Sequence, residues 1–332
     1  MDGRENTTEQ RWSKQSVIDQ FGRNISYLRL SITERCTLRC DYCRAGEGIC
    51  PRREELKAKD FIRIAQACAS LGIRKIRLTG GEPLLRKDLI EIILGLAAIE
   101  GIQELTMTTN AQMLPGQSRA LKAAGLDRIN ISLDSLNENR YQKMTNGGSL
   151  NAVLTGINEA LHADLQPVRI NAVIVHGRND DEVDDFIALT RDNPLEVRFI
   201  ELMPIGALGQ NESMRVSNDK LIAERPWLKP IPPRFPEQVA RDYAVEGYQG
   251  RVGFISPVSH QFCTDCNRIR VMSDGMLRPC LGNNIEYPLK EALAQNDEAL
   301  LKVIRQGIKH KPAGHQFLHG FISEKNMSQI GG

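Results

Sequence analysis

Six of the eight cysteines in this 332-residue chain form two triplets near its opposite ends: Cys36, Cys40 and Cys43, then Cys263, Cys266 and Cys280. Cys50 and Cys68 are left over. In a reducing compartment, thiols gathered this closely point to metal ligation rather than to disulfides. The first triplet has the form CxxxCxxC. A 4Fe-4S cluster takes one thiolate at each ligated iron, so three thiolates leave one iron open to a further ligand. Structural zinc is the alternative, and it wants four closed ligands. Beside the first triplet only Cys50 offers a fourth, whereas at the second His260 completes a Cys3His set. Against zinc there, the second triplet repeats the three-thiolate arithmetic of the first. It also carries Arg268 and Arg270 two residues apart, on one face of a strand.

The run Thr79-Gly80-Gly81-Glu82-Pro83 supplies a second kind of chemistry. Glycines let backbone groups approach a ligand closely, and Glu82 is an acceptor for an ammonium. The run ends a strand pattern, and in parallel α/β folds sites lie at the carboxyl ends of strands.

These groups need a scaffold. Strand patterns fall at Tyr27–Ile32, Lys75–Thr79, Glu104–Thr108, Arg128–Leu133, Val168–Val175 and Glu196–Leu202. Helical patterns separate them, among others at Ala58–Leu71, Asp88–Ile99, Gln117–Ala124, Leu150–Ala163 and Asp181–Thr190. Six strands joined by helical crossovers predict a parallel sheet. Each strand alternates. Arg29 and Ser31 oppose Leu28, Leu30 and Ile32; Lys75, Arg77 and Thr79 oppose Ile76 and Leu78; Arg169 and Asn171 oppose Ile170 and Ala172; Arg198 opposes Val197 and Phe199. Strands buried on both faces read as continuous apolar runs, and a closed eight-stranded barrel fills its interior with Val, Ile and Leu. The expectation is therefore an α/β fold, an incomplete (β/α)6 TIM-like barrel with a polar lumen, followed by a C-terminal extension carrying the second cluster. The divisions are a polar extension over 1–24, the barrel over 25–225, and a C-terminal domain over 226–332 that opens on the proline-rich run at 226–236.

Charge excludes some functions. The chain has 43 basic and 41 acidic side chains, so it carries no global basic field for nucleic acid. Its longest apolar stretch, Leu89–Ile99, is short of a bilayer span and contains Glu91. The first 24 residues resemble neither a signal nor a transit peptide, and a cytoplasmic location is expected. Cations sharing a lumen without counter-ions cost several kcal/mol each in desolvation. Arg29, Lys75, Arg77, Arg169, Arg198, Arg268 and Arg270 together therefore predict a polyphosphate ligand, which arginine forks suit.

The cluster loop after strand one, with Tyr42 just before its third cysteine, and GGEP after strand two resemble the radical S-adenosylmethionine (SAM) superfamily. The fuller set resembles its GTP 3',8-cyclase family: RLSITERC at 29–36, Thr108 to Asn110, Ser132 to Asp134, CTDCNRIR at 263–270, Cys280, and the tail Ile330-Gly331-Gly332. The resemblance implies two 4Fe-4S clusters, one on each triplet, and SAM bound through the open iron of the first near Tyr42, Gly81, Glu82, Ser132 and Met203. It implies GTP contacts from Arg29, Arg77, Thr108, Arg169, Arg198 and the segment Arg268, Ile269 and Arg270, with the guanine end on the second cluster. Catalytic roles are implied for Arg268, Arg270, Gly331 and Gly332. A radical derived from SAM would remove the ribose 3' hydrogen, and the new carbon radical would attack guanine C8, opening molybdenum cofactor biosynthesis. Expected partners are the cyclic pyranopterin monophosphate synthase acting next and an electron donor such as flavodoxin, with no nucleic acid or membrane and a monomeric or homodimeric state. Arg169 stands where the family usually has Lys. The competing readings are a peptide-modifying radical SAM maturase, which would carry more C-terminal cysteines, and a zinc-knuckle interaction module.

Overall fold

The computed structural model describes residues 17–44 and 54–331. Its sheet is built from twelve strands: β1 (Tyr27–Ser31), β2 (Lys75–Thr79), β3 (Glu104–Thr109), β4 (Arg128–Ser132), β5 (Arg169–Ile174), β6 (Glu196–Glu201), β7 (Lys229–Pro230), β8 (Arg241–Ala244), β9 (Arg251–Ile255), β10 (Arg268–Val271), β11 (Met276–Arg278) and β12 (Tyr287–Pro288). The first six lie within a residue or two of the alternating patterns. They are neighbours in chain order and parallel. Their connections include the helices Ala58–Ser70, Leu89–Ala97, Ser118–Ala123, Leu150–His162 and Val183–Ala188.

The alternation decides the layers. Leu28, Leu30, Ile76, Leu78, Met107, Ile129, Ile131, Ile170, Val197 and Phe199 are buried on the outer face of the sheet. Against them the helices turn their apolar stripes, for instance Phe61, Ile64, Ala65 and Cys68 of Ala58–Ser70. Each aliphatic side chain removed from water there is worth about 1.5–3 kcal/mol. Cys68 is one of these core groups, and burial pushes its thiol up to about 12. Cys50 lies outside the described residues.

The C-terminal segment does not build a sheet of its own. β10 adds parallel to β1, with Arg29 opposite Arg270, and β9 adds parallel to β6. The sheet therefore runs β12-β11-β10-β1-β2-β3-β4-β5-β6-β9-β8-β7. Eight consecutive parallel strands form its centre, flanked by antiparallel edges. The proline-rich run contributes β7 and a loop whose Phe235 reaches the lumen.

Candidate active site

The inner face of the sheet encloses a cavity of about 370 Å³, lined from every one of the six barrel strands as well as from β10 and the end of β9. All six cysteines of the two triplets line it.

The first triplet leaves the carboxyl end of β1 and is seated by the GGEP loop. Gly81 N–H donates to the Thr33 carbonyl and Glu82 N–H to the Arg35 carbonyl, both at 2.7 Å. The two backbones run so close that a Cβ on Gly81 would stand 2.3 Å from the Arg35 oxygen, and one on Gly80 2.5 Å from that of Thr33. This is a physical reason for both glycines. Asn110 Nδ2 meets Cys36 Sγ at 3.5 Å. Burial, Asp134 and the neighbouring Cys43 and Cys36 push the Cys40 thiol well above its usual range. Bound iron, as a local positive charge among these sulfurs, reverses that balance.

Tyr42, Gly81, Ser132 and Met203 line the cavity beside this loop. Tyr42 Oη donates to Asp134 Oδ2 at 2.8 Å, and Asp134 Oδ1 accepts from Val173 N–H at 2.9 Å. Burial raises Asp134 to about 6, against the pull of those two donors. Glu82 requires a correction. Its carboxylate is fully buried and accepts from Thr109 Oγ1, Asn110 N–H and Leu84 N–H at 2.7, 2.7 and 3.1 Å. It is absent from the lining, so it braces the loop instead of facing an ammonium.

Arg29, Lys75, Arg77, Arg169 and Arg198 all point into the cavity, joined by Arg128, which sequence reasoning passed over. The prediction that these cations lack counter-ions is only partly right. Glu104 pairs with Lys75 and Arg128. Glu196 pairs with Arg169 at 2.5 Å, Arg198 at 3.1 Å and Arg234 at 2.5 Å. Although burial alone would raise both carboxylates, their cationic neighbours pull each down to about 2. Strand parity carried the missing signal, since Glu104 shares a face with Thr106, as Glu196 does with Arg198. A positive surplus remains, because Glu237 is the only acidic side chain among the described residues that line the cavity.

At the other end of these parallel strands, Cys263 and Cys266 precede β10, the neighbour of β1, and Cys280 follows the antiparallel β11. His260 is not their fourth ligand: its Nε2 meets Asp219 Oδ2, and both side chains are about half exposed. Burial raises the Cys266 thiol, but Arg268 and Lys311 outweigh it and bring the group down to about 7. Arg268 and Arg270 line the cavity, whereas Ile269 between them is wholly buried on the other face of β10. Within the segment expected to contact GTP, the same period of two turns the side chains of Arg268 and Arg270 to the cavity and that of Ile269 to the core. The tail returns to the site: Arg270 Nη1 donates to the Gly331 carbonyl at 2.8 Å. A Cβ on Gly331 would stand 2.5 Å from Thr79 Oγ1. Gly332 lies outside the described residues.

The donor sets fit two iron–sulfur clusters of three thiolates each. The space between them fits polar ligands, since buried polar atoms of Tyr27, Thr79, Thr108, Asn171, Arg198 and Arg268 have no protein partner among the described residues. Such atoms cost free energy unless a ligand or water meets them.

Residues 30–190 match the family model of the radical SAM superfamily, and residues 195–317 match that of Molybdenum Cofactor Synthesis C. A GTP 3',8-cyclase from Alkaliphilus oremlandii is 45% identical over 95% of this chain and 99% of its own length. The chain belongs to the GTP 3',8-cyclase family. Another member, from Peptoclostridium acidaminophilum, is 42% identical over 96% of the chain and 99% of its own. Among solved structures, Streptococcus suis SuiB bound to S-adenosylmethionine aligns with a TM-score of 0.57 and 16% identity, over 85% of this chain and 66% of that one. At that identity the likeness is one of fold alone: the cyclase-family chain shares the radical SAM barrel.

Proposed function

We propose that the protein is a radical SAM lyase that cyclises GTP to (8S)-3',8-cyclo-7,8-dihydroguanosine 5'-triphosphate, the first step of molybdenum cofactor biosynthesis. The observation that carries this reading is the facing of two three-thiolate sets across one cavity whose wall between them holds surplus arginines and unmet polar atoms. When bound, the first cluster and SAM supply the carbon radical that takes the ribose 3' hydrogen.

The chain's own groups arrange the rest. Tyr42, Gly81, Ser132 and Met203 hold SAM against the first triplet. Arg29, Arg77, Thr108, Arg169 and Arg198 grip the triphosphate, and charge-assisted forks fix its direction. Arg268 and Arg270 hold the guanine end toward the second triplet, and the tail at Gly331 closes beside them. Fixing C3' and C8 within reach of one another turns ring closure into a positioned intramolecular step. The cyclised radical then takes up one electron and one proton, for which a flavodoxin-like donor in the cytoplasm is the proposed source. The product passes to the cyclic pyranopterin monophosphate synthase. Among the described residues no helix is long and apolar enough to cross a membrane.

Anaerobic incubation with SAM, a reductant and GTP deuterated at the ribose 3' position is the test. Deuterium is expected in 5'-deoxyadenosine, and its absence there would refute the assigned abstraction. Iron analysis is expected to give about eight irons per chain.

A further inference from the structure

Lys311 stands in none of the strand patterns, because it follows the helix Asp297–Lys309 in a loop. It is nonetheless 2% exposed. Its ammonium donates to the Arg268 carbonyl at 2.9 Å and the Pro279 carbonyl at 2.8 Å, and its charge, with that of Arg268, pulls the Cys266 thiol down. The first carbonyl lies two residues past Cys266 and the second one residue before Cys280, so a single side chain ties both arms. The third arm is tied to the same loop. Arg23 donates to the Cys263 carbonyl at 2.8 Å and to the carbonyls of Pro312 and Ala313 at 2.7 and 3.0 Å. A buried ammonium is costly unless charge and hydrogen bonds compensate it. Here the hydrogen-bond partners among the described residues are backbone carbonyls, not a carboxylate.

We propose that Lys311 is a positioning residue of the second cluster, holding the Cys266 and Cys280 arms at cluster-binding separation and supplying the counter-charge that its thiolates require. This rests on the reading of the second triplet as an iron–sulfur site. Outer groups of this kind orient ligands, and net charge and hydrogen bonds to sulfur set a cluster's potential.

The test uses the full chain with the first triplet removed (C36A, C40A and C43A), so that iron reports the second cluster only. This background is expected to hold about four irons; a background without iron would overturn the cluster reading, and the proposal with it. Within an iron-loaded background, K311R should keep both iron and midpoint potential. K311Q keeps donors for the two carbonyls but no charge, and should move the midpoint potential negative, because reduction adds a negative charge that one cation fewer now offsets. K311M should lose most of the iron. Repeating K311M in the full-cysteine chain should leave about four irons on the first triplet, which separates a local loss from unfolding. An unchanged potential and iron content in K311Q would overturn the proposal, as would equal iron loss in K311R and K311M.

Discussion

Arg77 lies in the wall between the two thiolate sets, with only Thr106 Oγ1, at 3.2 Å, as a hydrogen-bond partner among the described residues. A hydrogen bond to a charged group contributes about 1.5–3 kcal/mol. Arg77→Met is therefore expected to weaken GTP binding roughly 10- to 100-fold, with little change for guanosine, as read by calorimetric titration. An equal loss for both would remove Arg77 from the phosphates. Which cations enter the cavity was legible from parity along each strand, and Arg128 with the two glutamates was legible by the same rule though unread. Lys311 was not, because a loop residue has no period to follow and its burial comes from segments about 30 and 40 positions away. The misassignment of Glu82 has a similar origin. Sequence tells that a carboxylate ends a strand, but only the placed Thr109 and Asn110 show where it is used.

The GGEP loop and the cluster loop act as one element, since their backbones are hydrogen-bonded across a gap too narrow for a Cβ. Gly81→Ala sets a methyl against the rigid Arg35 carbonyl, an overpacking that costs about 1–3 kcal/mol. The strain falls on the cluster loop, so the expected result is loss of about four of eight irons with the second cluster kept. Retention of all the iron would show that the loops can part. The six barrel strands were readable because one face of each is packed against helices while the other meets the lumen, which writes a period of two into the sequence. The positions of β9 and β10 were not readable, because an edge pairing leaves no local trace.

Across the whole molecule, two sets of ion pairs brace the lumen wall: Glu104 ties β2 to β4, and Glu196 ties β5 and β6 to the loop at Arg234. Both carboxylates sit at about 2 in the fold, against about 4.5 as free side chains. Their stabilisation is complete above about 4.5 and is lost as pH falls toward 2, where the unfolded chain takes up protons first. Denaturation midpoints should therefore drop over that window, and Glu196→Gln should make the drop shallower. A pH slope unchanged by the substitution would assign acid sensitivity to other groups. The addition of β9 and β10 to the sheet has another outcome, one that concerns its making. β1 waits for β10, about 240 residues later in the chain, and β6 waits for β9. Until the ribosome has delivered the C-terminal third, the nascent barrel carries two bare strand edges, which are templates for pairing with other chains. A chain cut short near residue 225 should consequently aggregate, rather than persist as a soluble half-enzyme that binds SAM without GTP.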